Sequence, residues 1–182
     1  TYCFREIFEA TIAFNVTDKT QNNSLKLLSD LFFRTVDTYP DKSIYYYRNN
    51  NKWEEIRGKD IKHMVISIAS QIQQYVGKRK IQIGILANNS PQWAMVDYGI
   101  ILSGNVTVAL YQKLSSDKIL DRIRDSEIEL LFIQSENMLQ KLSFDLKNIA
   151  RIKKIIVMSN DYLGETKLVI NMSDFVNQSS DY

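Results

Sequence analysis

The strongest candidate for chemistry in the sequence is the loop at residues 88–93, Asn-Asn-Ser-Pro-Gln-Trp, which follows an apolar run and precedes a helical pattern. The first amides of a helix have no partner inside the helix, so such a loop can bind an anion. However, Ser90 and Pro91 stand where an N-cap and a first helical residue are favoured, and the serine hydroxyl can occupy the same amides. Trp93 can then anchor the helix on a sheet. We favour this structural interpretation over an anion site.

Two single residues, His63 and Cys3, carry reactive groups. His63 could act as a general base, but its place early in a helical pattern is more typical of a solvated helix histidine. Cys3 has no histidine near it in the sequence, and we expect a free thiol. One cysteine excludes an intrachain disulfide, and one cysteine with one histidine cannot make a four-ligand zinc site.

Three clusters of polar or aromatic residues each have a structural explanation. The dense charges of residues 121–127 predict a solvated helix face with pairs three and four residues apart. The basic run at 78–80 could touch phosphate, but no aromatic residues are interleaved with it, so we interpret it as the solvated entry to a strand. The tyrosines at 45–47 alternate across a predicted hairpin, so one ring faces oppositely to the other two, and we expect core filling rather than a stacking platform. The residues concerned are Asp121, Arg122, Arg124, Asp125, Glu127, Lys78, Arg79, Lys80, Tyr45, Tyr46 and Tyr47.

The sequence contains none of the common motifs for nucleotide binding or acyl hydrolysis. A G-x-G-x-x-G, a G-x-x-x-x-G-K-[ST] and a G-x-S-x-G are all absent. An open parallel sheet binds ligands beyond the carboxyl ends of its strands, so a site would lie in the loops after Ala87, Tyr111 and Gln134. None of these loops is glycine-rich. The residues by themselves therefore predict a fold but no active site.

Composition narrows the class of protein. The 182 residues include 23 Lys and Arg against 21 Asp and Glu, a formal net charge of +2, which gives no broad attraction to nucleic acid. The hydrophobic fraction of 45% suffices for a core. No apolar run is long enough to span a membrane, and the first residues lack the features of a secretory signal. We expect a cytoplasmic protein, leave peripheral membrane contact open, and expect a piece of a longer chain because Thr1 is not a start methionine.

Hydrophobic periodicity predicts an α/β fold. Successive strands and helices at this spacing form βαβ units, and right-handed crossovers then give a mostly parallel layered sheet, preceded by a helix and an aromatic β-hairpin. In the first half of the chain we predict a helix at 25–38 capped by Ser24, a hairpin at 43–48 and 52–56, and a helix at 59–76 ended by Gly77. The predicted strands that follow are at 80–87, 106–111, 130–134, 154–158 and 167–171. The helices between them run from Ser90 to about 103, from Ser115 or Ser116, and at 135–149.

Three stretches together resemble the N-terminal part of AMP-forming acyl-CoA synthetases, especially the long-chain fatty acid–CoA ligases of the adenylate-forming superfamily. They are FRTVDTYPDK at 33–42 with the following hairpin, IGILANNSPQW at 83–93 running on to 104, and VTVALY at 106–111 followed by the helix that ends near 127. The likeness covers roughly residues 25–160. The sequence departs from the family at Lys78-Arg79, at Gln92 and at Gln112-Lys113, where Gly-Asp, Glu and Pro-Thr are usual.

The resemblance implies a two-step reaction that uses ATP, Mg²⁺ and coenzyme A. A fatty acid carboxylate attacks the α-phosphate of ATP to give an acyl-adenylate and pyrophosphate, and the thiol of coenzyme A then displaces AMP. The family's phosphate-binding loop, adenine-contacting segment, magnesium-binding glutamate and catalytic lysine all lie further along than this chain reaches. The resemblance therefore assigns no catalytic, cofactor-binding or metal-binding residue to these 182 positions.

We accordingly expect residues 1–24 to be an N-terminal extension and residues 25–182 to be the N-terminal α/β subdomain of a larger adenylate-forming enzyme, inactive alone. Its partners would be the rest of that chain and a fatty acid substrate, with homo-oligomerisation left open. An amphipathic pattern at residues 4–12 favours packing on protein over lipid because its charges are not predominantly basic. The alternatives are another adenylate-forming enzyme, acting on short-chain acyl, aryl or amino acids, and a non-enzymatic α/β partner-binding module.

Overall fold

Five parallel strands form the central sheet of the computed structural model, which describes residues 27–49, 51–77, 80–146, 149, 151–159, 162 and 166–177. In chain order the elements are α1 (Leu28–Thr38), β1 (Ser43–Asn49), β2 (Lys52–Arg57), α2 (Gly58–Val76), β3 (Gln82–Leu86), α3 (Pro91–Leu102), β4 (Val106–Leu110), α4 (Ser116–Asp125), β5 (Leu130–Ile133), α5 (Glu136–Leu146), β6 (Lys154–Val157), β7 (Val169–Asn171) and α6 (Met172–Asn177).

The strand order across the sheet is β4-β3-β5-β6-β7, and all four neighbouring pairs are parallel. Every residue of β5 and of β6 is buried, as expected for parallel strands covered on both faces. A separate antiparallel hairpin pairs β1 with β2. The predicted α/β class, the mostly parallel sheet and the preceding helix and hairpin are therefore confirmed.

Helices cover both faces of the sheet. On the front face, α1, α2, α3 and α6 pack on alternate strand residues such as Ile83, Ile85 and Phe132. On the back face, α4 and α5 pack on the intervening strand residues, including Leu131 and Ile133. This alternation follows from the two-residue period of a strand. Among the described residues no helix is long and apolar enough to cross a membrane.

Local signals at the ends of the elements explain most of the boundaries. Gly77 takes a left-handed conformation (φ 62°), and its N–H bonds to the Gln73 carbonyl, so it ends α2 as predicted. Asn51 has φ 64° in the hairpin turn, which asparagine tolerates. The predicted cap Ser24 lies outside the described residues. The helix begins later than predicted, because Leu27 has an extended backbone and is the N-cap of α1, and the Asp30 carboxylate accepts its N–H at 2.9 Å.

Three details differ from the sequence prediction. Ser115 occupies the N-cap of α4, but its side chain makes no capping hydrogen bond; it is exposed, so water can satisfy the helix amides instead. The helix predicted at 135–149 is described only as far as Leu146. The short helix α6 was not predicted, because its start depends on Asn171 accepting the Asp174 N–H at 2.7 Å rather than on a long apolar period.

Candidate functional site

The fold places a potential binding crevice between the carboxyl ends of β3 and β5. These strands are neighbours, but the chain leaves them in opposite directions. From β3 it runs through α3 on the front face to β4, and from β5 it runs through α5 on the back face to β6. Such a topological switch point is where open α/β sheets bind ligands. The loops that start at Ala87 and Gln134 meet there.

The side chain of Gln134 bridges the two loops at this crevice. Its Oε1 accepts the backbone N–H of Asn88 at 2.8 Å, while the Gln134 backbone N–H donates to the Leu86 carbonyl at 3.0 Å. The first residue after β5 is thus bonded to the first turn after β3. The sequence prediction named Gln134 only as the end of a strand and missed this bridge. A ligand entering between the two loops would have to displace it.

The start of α3 is also occupied by the protein itself. The Ser90 hydroxyl accepts the Trp93 N–H at 3.1 Å, and Pro91 has no N–H to offer. The Trp93 side chain is half-buried and packs against the front-face core. The structural interpretation of this loop is therefore confirmed, since the serine uses an amide that an anion would need.

Of the other reactive or charged candidates, those that the structure describes are not brought together. His63 is exposed on α2. On α4, Arg124 and Asp121 form an exposed ion pair at 3.1 Å, as predicted for a solvated face. Lys80 is exposed, whereas Cys3, Lys78 and Arg79 lie outside the described residues. Within the described part of the chain, no group of three or more His, Cys, Asp or Glu could hold a metal ion.

The tyrosines of the hairpin are divided between its two faces. Tyr45 packs against the front-face core, and the Tyr47 hydroxyl donates a hydrogen bond to Glu54. Tyr46 is 61% exposed and faces away from the other two, as the predicted alternation requires. It shares the outer face with Trp53, which is 73% exposed and stands opposite Arg48 in the hairpin register. Only alternate residues of a strand can face the core, and the adjacent tyrosines cannot all do so.

The hydrogen bonds to Glu54 give a testable pH dependence. The bond from Tyr47, and then that from the Asn49 amide at 2.8 Å, hold the pKa of Glu54 below its usual value, and the same carboxylate raises the pKa of Tyr47. A lowered carboxyl pKa in the folded state stabilises the protein above the unfolded pKa, and this contribution is lost as pH falls through the folded pKa. We expect Tyr47→Phe to raise the pKa of Glu54, measured by a ¹³C NMR titration of its carboxyl. Tyr46→Phe is the control and should leave that titration unchanged.

A groove lies where β4 ends against α4. Its volume is about 260 Å³. It is lined by Val108, Ala109, Leu110, Tyr111, Leu114, Ile119, Arg122 and Ser126. The lining is mostly apolar and contains one cation. A nucleotide's phosphates need several donors or cations, commonly backbone amides of a Gly-rich or Ser/Thr-rich loop, so this groove does not fit ATP. The described residues do not fit Mg²⁺ either, because no acidic cluster meets there.

Several long-chain ligases are similar to this chain in sequence, at low identity. Long-chain-fatty-acid–CoA ligase ACSBG1 of Rattus norvegicus is 20% identical over 127 residues, which are 70% of this chain and 18% of that protein. Long chain acyl-CoA synthetase 1 of Arabidopsis thaliana is 25% identical over 138 residues, 72% of this chain and 21% of that protein. The chain thus spans about a fifth of the length of the curated relatives it matches.

Solved structures share the fold. Coronafacic acid ligase from Pectobacterium brasiliense superposes with a TM-score of 0.71 at 17% identity, over 86% of this chain and 30% of that one. The anthranilate CoA ligase AuaEII, solved with anthranoyl-AMP, gives a TM-score of 0.70 at 16% identity, over 81% of this chain and 27% of that one. The model of the AMP-binding enzyme family matches residues 32–180, which is most of the sequence. The resemblance found in the sequence is confirmed, and the chain belongs to the AMP-binding enzyme family.

Proposed function

We propose that this chain is the N-terminal segment of a long-chain fatty acid–CoA ligase. The full enzyme would join a fatty acid to ATP as an acyl-adenylate, release pyrophosphate, and then transfer the acyl group to coenzyme A with release of AMP. The family match over residues 32–180 carries the proposal. The names of the relatives, which are long-chain ligases in both plants and animals, favour a long-chain substrate.

Within that enzyme we assign a framework role to the described residues. The crevice between β3 and β5 is bridged by Gln134, and the start of α3 is capped by Ser90. The groove beside α4 offers a single cation. We therefore place the groups that bind ATP, Mg²⁺ and coenzyme A in the rest of the protein. Residues 1–24 would form an extension and residues 25–182 an α/β subdomain.

The test compares this 182-residue chain with the full-length protein. Each is incubated with ATP, Mg²⁺, coenzyme A and palmitate, and pyrophosphate and palmitoyl-CoA are measured. We expect both products from the full-length protein and neither from the 182-residue chain above a no-enzyme control. Pyrophosphate release by the short chain would overturn the framework role. If a folded full-length protein formed no acyl-CoA from palmitate, acetate or benzoate, the ligase assignment would be overturned.

A second candidate is an adenylate-forming ligase that acts on an aryl or cyclic acid. It is favoured by the close superposition on ligases of anthranilate and of coronafacic acid, at TM-scores of 0.70 and 0.71. Competition between palmitate, acetate and benzoate in the full-length enzyme distinguishes the two candidates. A kcat/KM for palmitate at least tenfold above that for benzoate supports the long-chain assignment, and the reverse order supports the aryl one.

A further inference from the structure

One edge of the central sheet has no neighbouring strand among those that the structure describes. The strand β4 is the outermost in the order and pairs only with β3 among the described strands. Its first ladder bond runs from the Val106 N–H to the Ile81 carbonyl at 2.9 Å. Because backbone groups alternate in direction along a strand, Val108 also bonds inward, whereas the N–H and C=O groups of Thr107 and Ala109 point away from β3. No described strand pairs with these groups.

The described residues of this edge strand carry none of the usual protection against pairing. Natural edge strands are blunted by charged residues, proline, bulges or short length. The sequence of β4 is Val-Thr-Val-Ala-Leu, with no charge and no proline, and it keeps an unbroken register with β3 over five residues. The opposite edge strand, β7, is only three residues long, and the hairpin strands β1 and β2 carry Arg48, Lys52, Glu54 and Glu55.

Large side chains at both ends of β4 are exposed, and one hydroxyl within the strand lacks a described partner. Val106 is 48% exposed and Tyr111 is 61% exposed. The hydroxyl of Thr107 is buried but has no hydrogen-bond partner within the described part of the chain. A buried hydroxyl without a partner is uncommon and indicates that a partner is missing. The apolar groove against α4 lies directly beside this strand.

We propose that β4 is an internal strand of the complete protein, where an extended segment from the part of the polypeptide outside these 182 residues pairs with Thr107 and Ala109. The inference rests on the proposed function in one respect, namely that a longer ligase chain exists. The length comparison favours this occupant, because about four fifths of each relative lies outside the matched region. A segment of the same chain also pairs at a high effective concentration, which a second copy does not.

Amide hydrogen exchange of the full-length protein, read at single residues by mass spectrometry with electron-transfer fragmentation, tests this pairing. We expect the Thr107 and Ala109 amides to exchange at least tenfold more slowly in the full-length protein than in the dilute 182-residue chain. The amides of Val106 and Val108, which bond to β3, serve as internal controls and should be protected in both. Equal exchange of Thr107 and Ala109 in the two proteins would overturn the proposal. Protection that disappears on dilution of the full-length protein would assign the edge to a second copy and also overturn it.

A substitution provides the second measurement. Ala109 is exposed in the structure, so Ala109→Lys should leave the melting temperature of the 182-residue chain within about 2 °C of the unsubstituted chain. In the full-length protein we expect the same change to lower the melting temperature by at least 5 °C. Asn137→Lys, at an exposed position of α5, is the matched control. An equal response of both full-length variants would contradict the pairing. Protection of β4 in a protein without ligase activity would preserve this inference while overturning the proposed function.

Discussion

Replacing Phe132 with alanine is expected to lower the free energy of unfolding by about 3–5 kcal/mol, the usual cost of removing a buried phenylalanine. Phe132 lies in the central strand β5 and is fully buried. Its ring meets that of Phe175 edge to face, with centroids 5.7 Å apart, and so joins α6 to the sheet. Truncation leaves a cavity that the flanking strands β3 and β6 cannot fill, because their backbones are fixed by ladder bonds.

The measurement is urea denaturation of the 182-residue chain, followed by circular dichroism, with the midpoint and slope fitted separately. Tyr46→Ala removes a ring of similar size from the exposed outer face of the hairpin and is the matched control. We expect that control to change the free energy of unfolding by no more than about 0.5 kcal/mol, as for most surface substitutions. Equal losses for the two variants would contradict the burial pattern on which the fold description depends.

Most of the fold could be predicted because the signals that specify it are local. The apolar runs that became β3, β5 and β6, and the serine and proline that start α3, lie next to one another in the sequence. Capping and periodicity depend on residues within a few positions, so a single sequence contains them. The missed bridge from Gln134 to Asn88 depends instead on contacts between distant parts of the chain.

The candidate site could be located in the sequence but not characterised. The sequence predicts the parallel sheet, and in such a sheet a ligand site lies in the loops after the carboxyl ends of the strands. The bridge from Gln134 to Asn88 joins residues 46 positions apart, and no local pattern marks glutamine for that role. The missing nucleotide motifs and the relatives' much greater length both support our proposal that the catalytic groups lie outside these 182 residues.

A second large loss of stability is expected from a substitution at the close contact between α2 and α3. Gly99 of α3 faces Ile68 of α2, and a Cβ atom at position 99 would lie 2.5 Å from Ile68 Cγ2 and 2.9 Å from Ile68 Cβ. Isoleucine is stiff in a helix, and its Cβ is fixed by the backbone, so the helices themselves must separate. Overpacking of this kind costs about 1–3 kcal/mol, and the better helix propensity of alanine recovers about 1 kcal/mol at most. We expect Gly99→Ala to destabilise the protein by about 1–2 kcal/mol.

A double-mutant cycle with Ile68→Ala tests the cause of this loss. If the methyl group of residue 99 collides with Ile68, Gly99→Ala should cost at least about 1 kcal/mol less in the Ile68→Ala background than in the unsubstituted chain. Gly77→Ala is the control for a glycine that has open space but a positive φ of 62°. Its cost, about 1 kcal/mol from backbone strain alone, should not change in the Ile68→Ala background. Additive losses for positions 68 and 99 would show that the two helices do not meet as described, and the front-face core would need a different packing.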